Sequence, residues 1–422
     1  MRVNGIIAEY NPFHTGHKYL LTESKKATSA DYTVIVMSGN FVQRGAPALI
    51  NKYKRAEMAL QNGADLVLEL PMYYATSSAE YFAMGGISLL DKLGVVTNLS
   101  FGSECGDLAV LEKIARILAK EPADYALLLR ENLKKGQSYP TARTNALLKY
   151  DADFEKYKDV LSSPNNILGI EYLKALLKRN SSIQPFTLQR AGAGYHDTQL
   201  NNVQCSAQGI REAVFDKHNT KAAKECKGQL SELLSNQMPE SAHTLLYDCI
   251  QQGTFLHTND FSGMLHYKLL TEFSKGFTEY LDVTPDLSDR ICKNVLQYNS
   301  FQGFCDRLKT KDMTYTRISR CLVHIMLDIK TESLGVYRTF DYTPYARVLG
   351  FKKDATPLMN AIKKKSNIPL ITKLADAEQY IEGEALEMLK GDILRNTIYE
   401  SAMAIKSGKP MANEYRTPIV IV

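Results

Sequence analysis

Two histidines three residues apart, His14 and His17, stand in the stretch EYNPFHTGHKYL that begins at Glu9. Imidazoles ligate metals, hydrogen-bond phosphates or fill cores, and this spacing admits all three. On a helix, positions i and i+3 share nearly one face, so both rings could reach a single phosphate. Gly16 between them removes a side chain where a ribose or flat ring could approach. A metal is disfavoured, because no third ligand cluster stands nearby and zinc sites take three or four protein ligands. A second constellation, CSAQGIREA, places Ser206 and Arg211 five residues apart around a helix start. Ser206 suits an N-cap. Arg211, one turn in, could reach a β- or γ-phosphate.

These side chains need a frame, and the first hundred residues supply one by alternating two periods. Short apolar runs fall at 3–8 (VNGIIA), 32–37 (YTVIVM), 65–70 (DLVLEL) and 95–101 (VVTNLSF), with helical patterns at 16–26, 52–61 and 77–90 between them. Strands separated by helices of that length predict a parallel, doubly wound α/β sheet of right-handed units. Such sheets bind ligands beyond the carboxyl ends of their strands. There IIAE supplies a strand, YNPF a turn, and HTGHKYLL a helix start whose free amides and dipole suit a triphosphate. Residues 107–180 are mostly helical by pattern, 183–188 (IQPFTL) form one more strand, and the loop AGAGYHDTQLNN follows. Beyond about residue 216 the pattern is almost wholly helical to 335, and the apolar tail RTPIVIV could pair at a sheet edge. The predicted organisation is a Rossmann-like domain over 1–216 and a mainly α-helical domain over 217–422.

Composition narrows the function classes. Of the 422 residues, 45% are hydrophobic and 23% charged, the range of a folded globular chain. No apolar run approaches the roughly 20 residues of a membrane span, and the N-terminus lacks a signal-peptide h-region, so a cytoplasmic protein without membrane partners is expected. Seven scattered cysteines without a CxxC support neither a disulfide framework nor a zinc ribbon. The net charge of +5 is mild, but residues 301–373 hold 14 Lys and Arg against 6 Asp and Glu, a local surplus of +8. Tyr315, Tyr337, Tyr342 and Tyr345 are interleaved with them, a pattern that suits an RNA backbone and unstacked bases as well as an ordinary solvated face. The segment SGNFVQRGAPALINKYKRAE is longer and more polar than a connection requires, and Gln43, Arg44, Lys52 and Arg55 within it are candidates for ligand contacts.

NPFHTGH after the first strand, with SAQGIR some 190 residues later, resembles the HIGH and ISTxIR signatures of the nucleotidyltransferase superfamily. The blocks GIIAEYNPFHTGH, VIVMSGNFVQRGAPALINKYKRAEMAL, ADLVLELP, SFGSE, SPNNILGIEYLKAL and LQRAGAGYHD resemble, in the same order, the bacterial tRNA(Met) cytidine acetate ligase family. The resemblance implies a HIGH nucleotidyltransferase fold and formation of N4-acetylcytidine at the wobble position of elongator tRNA(Met). Acetate and ATP would be the co-substrates, without acetyl-CoA, and Mg²⁺ would accompany ATP. By matching position it implies ATP contacts from Ile7, Ala8, Glu9, Tyr10, Asn11, Pro12, Phe13, His14, Thr15, Gly16, His17, Lys18, Tyr19 and Leu20. Gly102, Asn165, Arg190 and Ser206 join them. In that reaction His14 and His17 would neutralise the α-phosphate and Arg211 would hold pyrophosphate; the long polar segment itself, rather than the resemblance, suggests that Gln43 and Arg44 place acetate or the acceptor cytidine, with Lys52 or Arg55 near phosphate. Ala207 replaces a hydroxyl of the second signature, which removes any contribution from that position. By residue chemistry alone, Asn165 could equally cap a helix and Arg190 could pair with Glu104. An adenylyltransferase with a small acceptor and a non-catalytic nucleotide-sensing RNA-binding protein are the alternative readings.

Overall fold

The computed structural model describes residues 1–190, 206–218 and 226–422; the predicted loop after Arg190 lies outside them. In chain order the strands are β1 (Val3–Ala8), β2 (Tyr32–Ser38), β3 (Phe41–Val42), β4 (Ala46–Pro47), β5 (Leu66–Leu70), β6 (Asn98–Ser103), β7 (Gln184–Gln189), β8 (Ala346–Phe351), β9 (Leu370–Ile371) and β10 (Val420–Ile421). The central ones are buried on both faces, which is why VNGIIA, YTVIVMS and LVLEL read as continuous apolar runs rather than alternating ones. Eight strands form one sheet in the order β10-β8-β5-β2-β1-β6-β7, with β9 beside β8. Every pair in it is parallel except β5 with β8.

The sheet changes direction of growth at β1: β2 and β5 extend to one side, β6 and β7 to the other. β1 and β6 pair over only two positions, Asn4 with Asn98 and Gly5 with Leu99, whereas β1 and β2 pair over six. Beyond those two positions β1 and β6 part, and the switch-point crevice opens at their carboxyl ends. The Pro164–Arg179 helix packs hard against this opening. A Cβ at Gly169 would lie 2.6 Å from the Phe101 ring, so only glycine lets helix and strand approach this closely.

The expected strand at 95–101 begins later, at Asn98, because Val95 and Val96 fill the core as a lead-in loop. The apolar tail pairs at the sheet edge as expected, through β10 on β8. The portion beyond 216 is mainly helical, yet it also contributes β8, β9 and β10 to the same sheet.

The polar segment SGNFVQRGAPALINKYKRAE contains a hairpin rather than an open loop. β3 and β4 pair antiparallel, and the Gly45 N–H closes the turn onto the Val42 carbonyl at 2.9 Å. Gly45 has φ +72°, and a Cβ there would collide with the Arg320 backbone, while its carbonyl accepts from Ser319 Oγ. The Tyr315–Met326 helix thus seats the turn that carries Gln43 and Arg44. Gly45→Ala is expected to cost about 2 kcal/mol or more, from left-handed strain plus displacement of that helix. Urea unfolding checks this value.

Candidate functional site

The turn after β1 is tightly held. Tyr10 takes φ +48°, the Asn11–Pro12 bond is cis, and Phe13 is fully buried beneath the turn. His14 then caps the Thr15–Ala27 helix in place of the usual Ser or Asp. Its Nδ1 accepts the Gly16 N–H at 3.1 Å, and His17 Nδ1 accepts the His14 N–H at 3.2 Å, a reciprocal box made of two imidazoles. The rings lie 3.8 Å apart between centroids, with Tyr10 edge-on to His17 at 4.9 Å.

That box fixes the chemistry of both rings. A backbone N–H can only donate, so each Nδ1 must present its lone pair and each neutral ring carries its proton on Nε2. Burial, reinforced by Arg190 and Arg211, pushes His14 down to about 3. Burial, then His14 and Arg190, hold His17 well below the usual histidine range. The pair therefore offers two neutral Nε2–H donors at neutral pH.

The cavity at the crevice is lined by both signatures. From the run 7–20 it takes Ile7, Ala8, Glu9, Tyr10, Asn11, His14, His17 and Leu20. Pro12, Phe13, Thr15, Gly16, Lys18 and Tyr19 do not line it: Pro12 and Phe13 are buried, while Lys18 and Tyr19 face outward. Gly102, Asn165, Arg190, Ser206 and Arg211 all reach it, as do Gln43 and Arg44 from the hairpin turn. Arg211 Nη1 donates to the Asn11 carbonyl at 2.6 Å, which ties the second signature to the first across 200 residues, and Arg44 Nη1 donates to Gln208 Oε1 at 3.4 Å, which ties it to the hairpin. Ser206 Oγ accepts the Gly209 N–H at 3.2 Å and so does cap its helix.

Asn165 and Arg190 resolve their alternatives differently. Glu104 caps the Pro164–Arg179 helix from outside: its Oε1 accepts Asn165 Nδ2 at 2.6 Å and its Oε2 the Asn166 N–H at 2.8 Å. Asn165 is thus held by a carboxylate rather than capping by itself. Glu104 is engaged there, and Arg190 instead lies across Gly102, where a Cβ would sit 3.2 Å from Arg190 Cγ. The missing side chain at Gly102 makes room for the aliphatic stem of Arg190.

Burial removes Lys52 and Arg55 from the phosphate role expected of them, and several residues of the basic stretch from the RNA role. Lys52 is buried with Nζ 2.8 Å from both oxygens of Glu69, and Arg55 is wholly buried, donating to the carbonyls of Glu9, Ser38, Gly39 and Ile50. Neither lines the cavity; Arg55 instead holds the backbone around it. Within 301–373, Tyr337 and Tyr345 belong to the core and Arg347 is buried against Glu69 and Glu414, so these residues offer no stacking or phosphate contact. Arg347 is the one buried cation among the described residues of that stretch; Arg307, Lys309, Lys311, Arg338, Lys353, Lys363 to Lys365 and Lys373 remain exposed.

An apolar wall of Phe82, Phe101, Leu168 and Tyr172 was not predicted. Part of it is readable afterwards, because Leu168 and Tyr172 follow Asn165 at i+3 and i+7 and so share its helix face. Among the described residues no group of three His, Cys, Asp or Glu could hold a metal, and no helix is long and apolar enough to cross a membrane. The cavity thus joins three guanidinium groups and two neutral imidazole donors to an apolar wall, an arrangement suited to a purine nucleotide with its phosphates at a helix N-terminus.

Comparison with known proteins agrees. The model of the HIGH Nucleotidyl Transferase family matches residues 1–414. A protein of Caldanaerobacter subterraneus subsp. tengcongensis named tRNA(Met) cytidine acetate ligase is 42% identical over 403 residues, 95% of this chain and 96% of its own. One of the same name from Acetivibrio thermocellus is 37% identical over the whole of both chains. Two crystal structures of Thermotoga maritima TmcAL, one apo and one bound with alpha-thio ATP, superpose with TM-scores of 0.90 and 0.89 at 31% identity over the full length of both chains. The chain belongs to the tRNA(Met) cytidine acetate ligase family of HIGH nucleotidyltransferases.

Proposed function

We propose that this enzyme joins acetate to ATP as acetyl-adenylate and passes the acetyl group to N4 of the wobble cytidine of elongator tRNA(Met), without acetyl-CoA. The observation that carries the reading is the imidazole box, two neutral Nε2–H donors in a cavity with three arginines. Acetate is a poor acylating agent because oxide would have to leave. Attack of its oxygen on the α-phosphate expels pyrophosphate and leaves an acyl group whose departing partner is AMP. His14 and His17 donate to oxygens of the α-phosphate as charge grows there, and Arg211 holds the pyrophosphate. Such preorganised donors need no reorganisation at the moment of reaction. Gln43 and Arg44 place acetate at the hairpin turn. Ile7 to Leu20, Gly102, Asn165, Arg190 and Ser206 shape the ATP site, through side chains or through the backbone that seats them.

Among the described residues Glu9 is the one acidic residue lining the cavity, too few carboxylates for a protein cage. Mg²⁺ would instead ride on the phosphates and their waters. Residues 217–422, with the exposed Lys363 to Lys365, supply tRNA contacts, and the enzyme works in the cytoplasm on the cellular tRNA pool.

Incubation with ATP, radiolabelled acetate and total tRNA tests the reading. Label should enter tRNA only with ATP and should not increase with acetyl-CoA; adenylate without label in RNA would favour a small acceptor. Arg44→Ala should lower acetate use by about 10- to 150-fold, the worth of one charged hydrogen bond. Unchanged adenylate formation and unchanged transfer in that variant would remove Arg44 from the acetate site.

A further inference from the structure

Acylating an amine releases a proton. As cytidine N4 attacks the acetyl carbon, a C–N bond forms, the bond from that carbon to the AMP oxygen breaks, and N4 must lose one hydrogen to become a neutral amide nitrogen. The acceptor has to be a basic atom at the reacting end of the cavity. His14 and His17 are unsuited, because each Nδ1 lone pair is already committed to a backbone amide and each Nε2 carries hydrogen. The arginines are cations without a lone pair to offer. The phenols of Tyr10 and Tyr172 are pushed above their usual range by burial and stay protonated. Ser206 is the cap of its own helix.

Among the described residues Glu9 is what remains, and its placement is built. It follows the last residue of β1 and lines the cavity that the imidazole pair and the hairpin turn also line. Its Oε1 accepts the Gln43 N–H at 2.8 Å, and Arg55 Nη1 clamps its backbone carbonyl at 2.6 Å. Its Oε2 has no hydrogen-bond donor among the described residues. The charged and titratable groups around it are Arg44 from the hairpin, Arg55 from the Lys52–Gln61 helix, Tyr172 from the Pro164–Arg179 helix and Arg211 from the second signature.

We propose that Glu9 is the general base of the acetyl-transfer step, with Oε2 accepting a hydrogen of the cytidine N4 amine and then taking its proton. The proton passes on to solvent as AMP departs. A carboxylate accepting from N4 is also the usual way a protein distinguishes cytosine, whose amine donates, from uracil, whose O4 can only accept. This inference rests on the proposed acetyl transfer to a cytidine amine.

Glu9→Gln keeps the shape and can still accept the Gln43 amide, but it is no base. Two rates are compared in each variant: acetohydroxamate formed from ATP, acetate and hydroxylamine, which intercepts the adenylate without an enzymic base, and single-turnover passage of labelled acetyl to tRNA(Met). Transfer relative to hydroxamate should fall about 10²- to 10⁴-fold in Glu9→Gln, the usual worth of a general base. Glu9→Asp, with its base one methylene back, should fall between the two. A transfer-to-hydroxamate ratio within about threefold of wild type in Glu9→Gln overturns the proposal, the departing phosphate then taking the proton. Equal losses in both rates and both variants also overturn it, since Glu9 would then serve the fold or adenylation. Wild-type enzyme that forms hydroxamate but never labels tRNA refutes the acceptor itself, a different failure from an unchanged ratio.

Discussion

Replacing His14 by asparagine is expected to slow acetyl-adenylate formation by about 10²- to 10³-fold while the protein remains folded. The two roles of His14 sit on different ring atoms. Its Nδ1 accepts the Gly16 N–H and starts the helix; its Nε2–H faces the cavity. Asparagine is among the best N-caps, so its Oδ1 takes over the first role and nothing takes over the second. His14→Ala loses both and should be less stable by a further ~1 kcal/mol. The test is pyrophosphate exchange driven by acetate, alongside thermal melting. An asparagine variant with wild-type exchange would remove the imidazole from catalysis.

The same substitution carries a pH signature. The His14 imidazole sits at about 3 in the fold against an ordinary 6.5, so folding favours the neutral ring. Between those values the unfolded chain binds the extra proton, and stability contributed by this ring is complete above about pH 6.5 and is lost as pH falls below it. The melting temperature of His14→Asn should therefore decline less than that of wild type on going from neutral pH to about pH 4.5. Parallel declines would contradict the assignment of a neutral, buried ring.

Glu69→Gln is expected to destabilise the fold by about 3–5 kcal/mol, without touching any group in the cavity. Glu69 lies between Lys52 Nζ, at 2.8 Å, and Arg347 Nη1, at 2.9 Å; Arg347 Nη2 also reaches Glu414 at 2.7 Å, and Glu414 pairs with Lys52. Two cations and two anions thus balance in a buried cluster. The Arg347 to Glu69 approach is an ion pair without good hydrogen-bond alignment, since Arg347 Nη1 finds no aligned acceptor. Its contribution is charge balance more than a directed bond. Removing one anion leaves a cation uncompensated in low dielectric, which costs more than the intact cluster contributes. Nearby Asp392 shows the same environment, its carboxyl raised to about 7 chiefly by burial. Urea unfolding measures the loss. Lys52→Met added to Glu69→Gln should return part of it, and strictly additive effects would show that the cluster is not coupled.

The sequence shows which groups could do chemistry far better than it shows which are buried. The parallel strands were legible because burial on both faces writes an unbroken apolar run. The signatures were legible because a glycine, two histidines and an arginine stand at helix starts, where phosphate chemistry belongs. Lys52, Arg55 and Arg347 look the same on the page as Arg44 and Arg211, and only tertiary contact separates cations that hold the scaffold from cations that face the cavity. Tyr337 and Tyr345 were misjudged for the same reason. The Glu104 cap of Asn165 joins residues 61 apart, beyond any local pattern. β8 hides because it follows a long helical stretch and enters the sheet antiparallel, without the helix spacing that announced the others.

The charge cluster has a consequence for the order of events during synthesis. Glu69 and Lys52 emerge early, whereas Glu414 follows Glu69 by 414 − 69 = 345 residues. At 5–20 residues per second this is an interval of roughly 17–70 s. Until β8 is made the nascent N-terminal half holds Lys52 and Glu69 without Arg347, with its β5 edge uncovered, and Glu414 is the last of the four charges to arrive. The N-terminal half therefore waits on the ribosome for its last counter-charge, and an unfinished chain would present an open sheet edge to its neighbours.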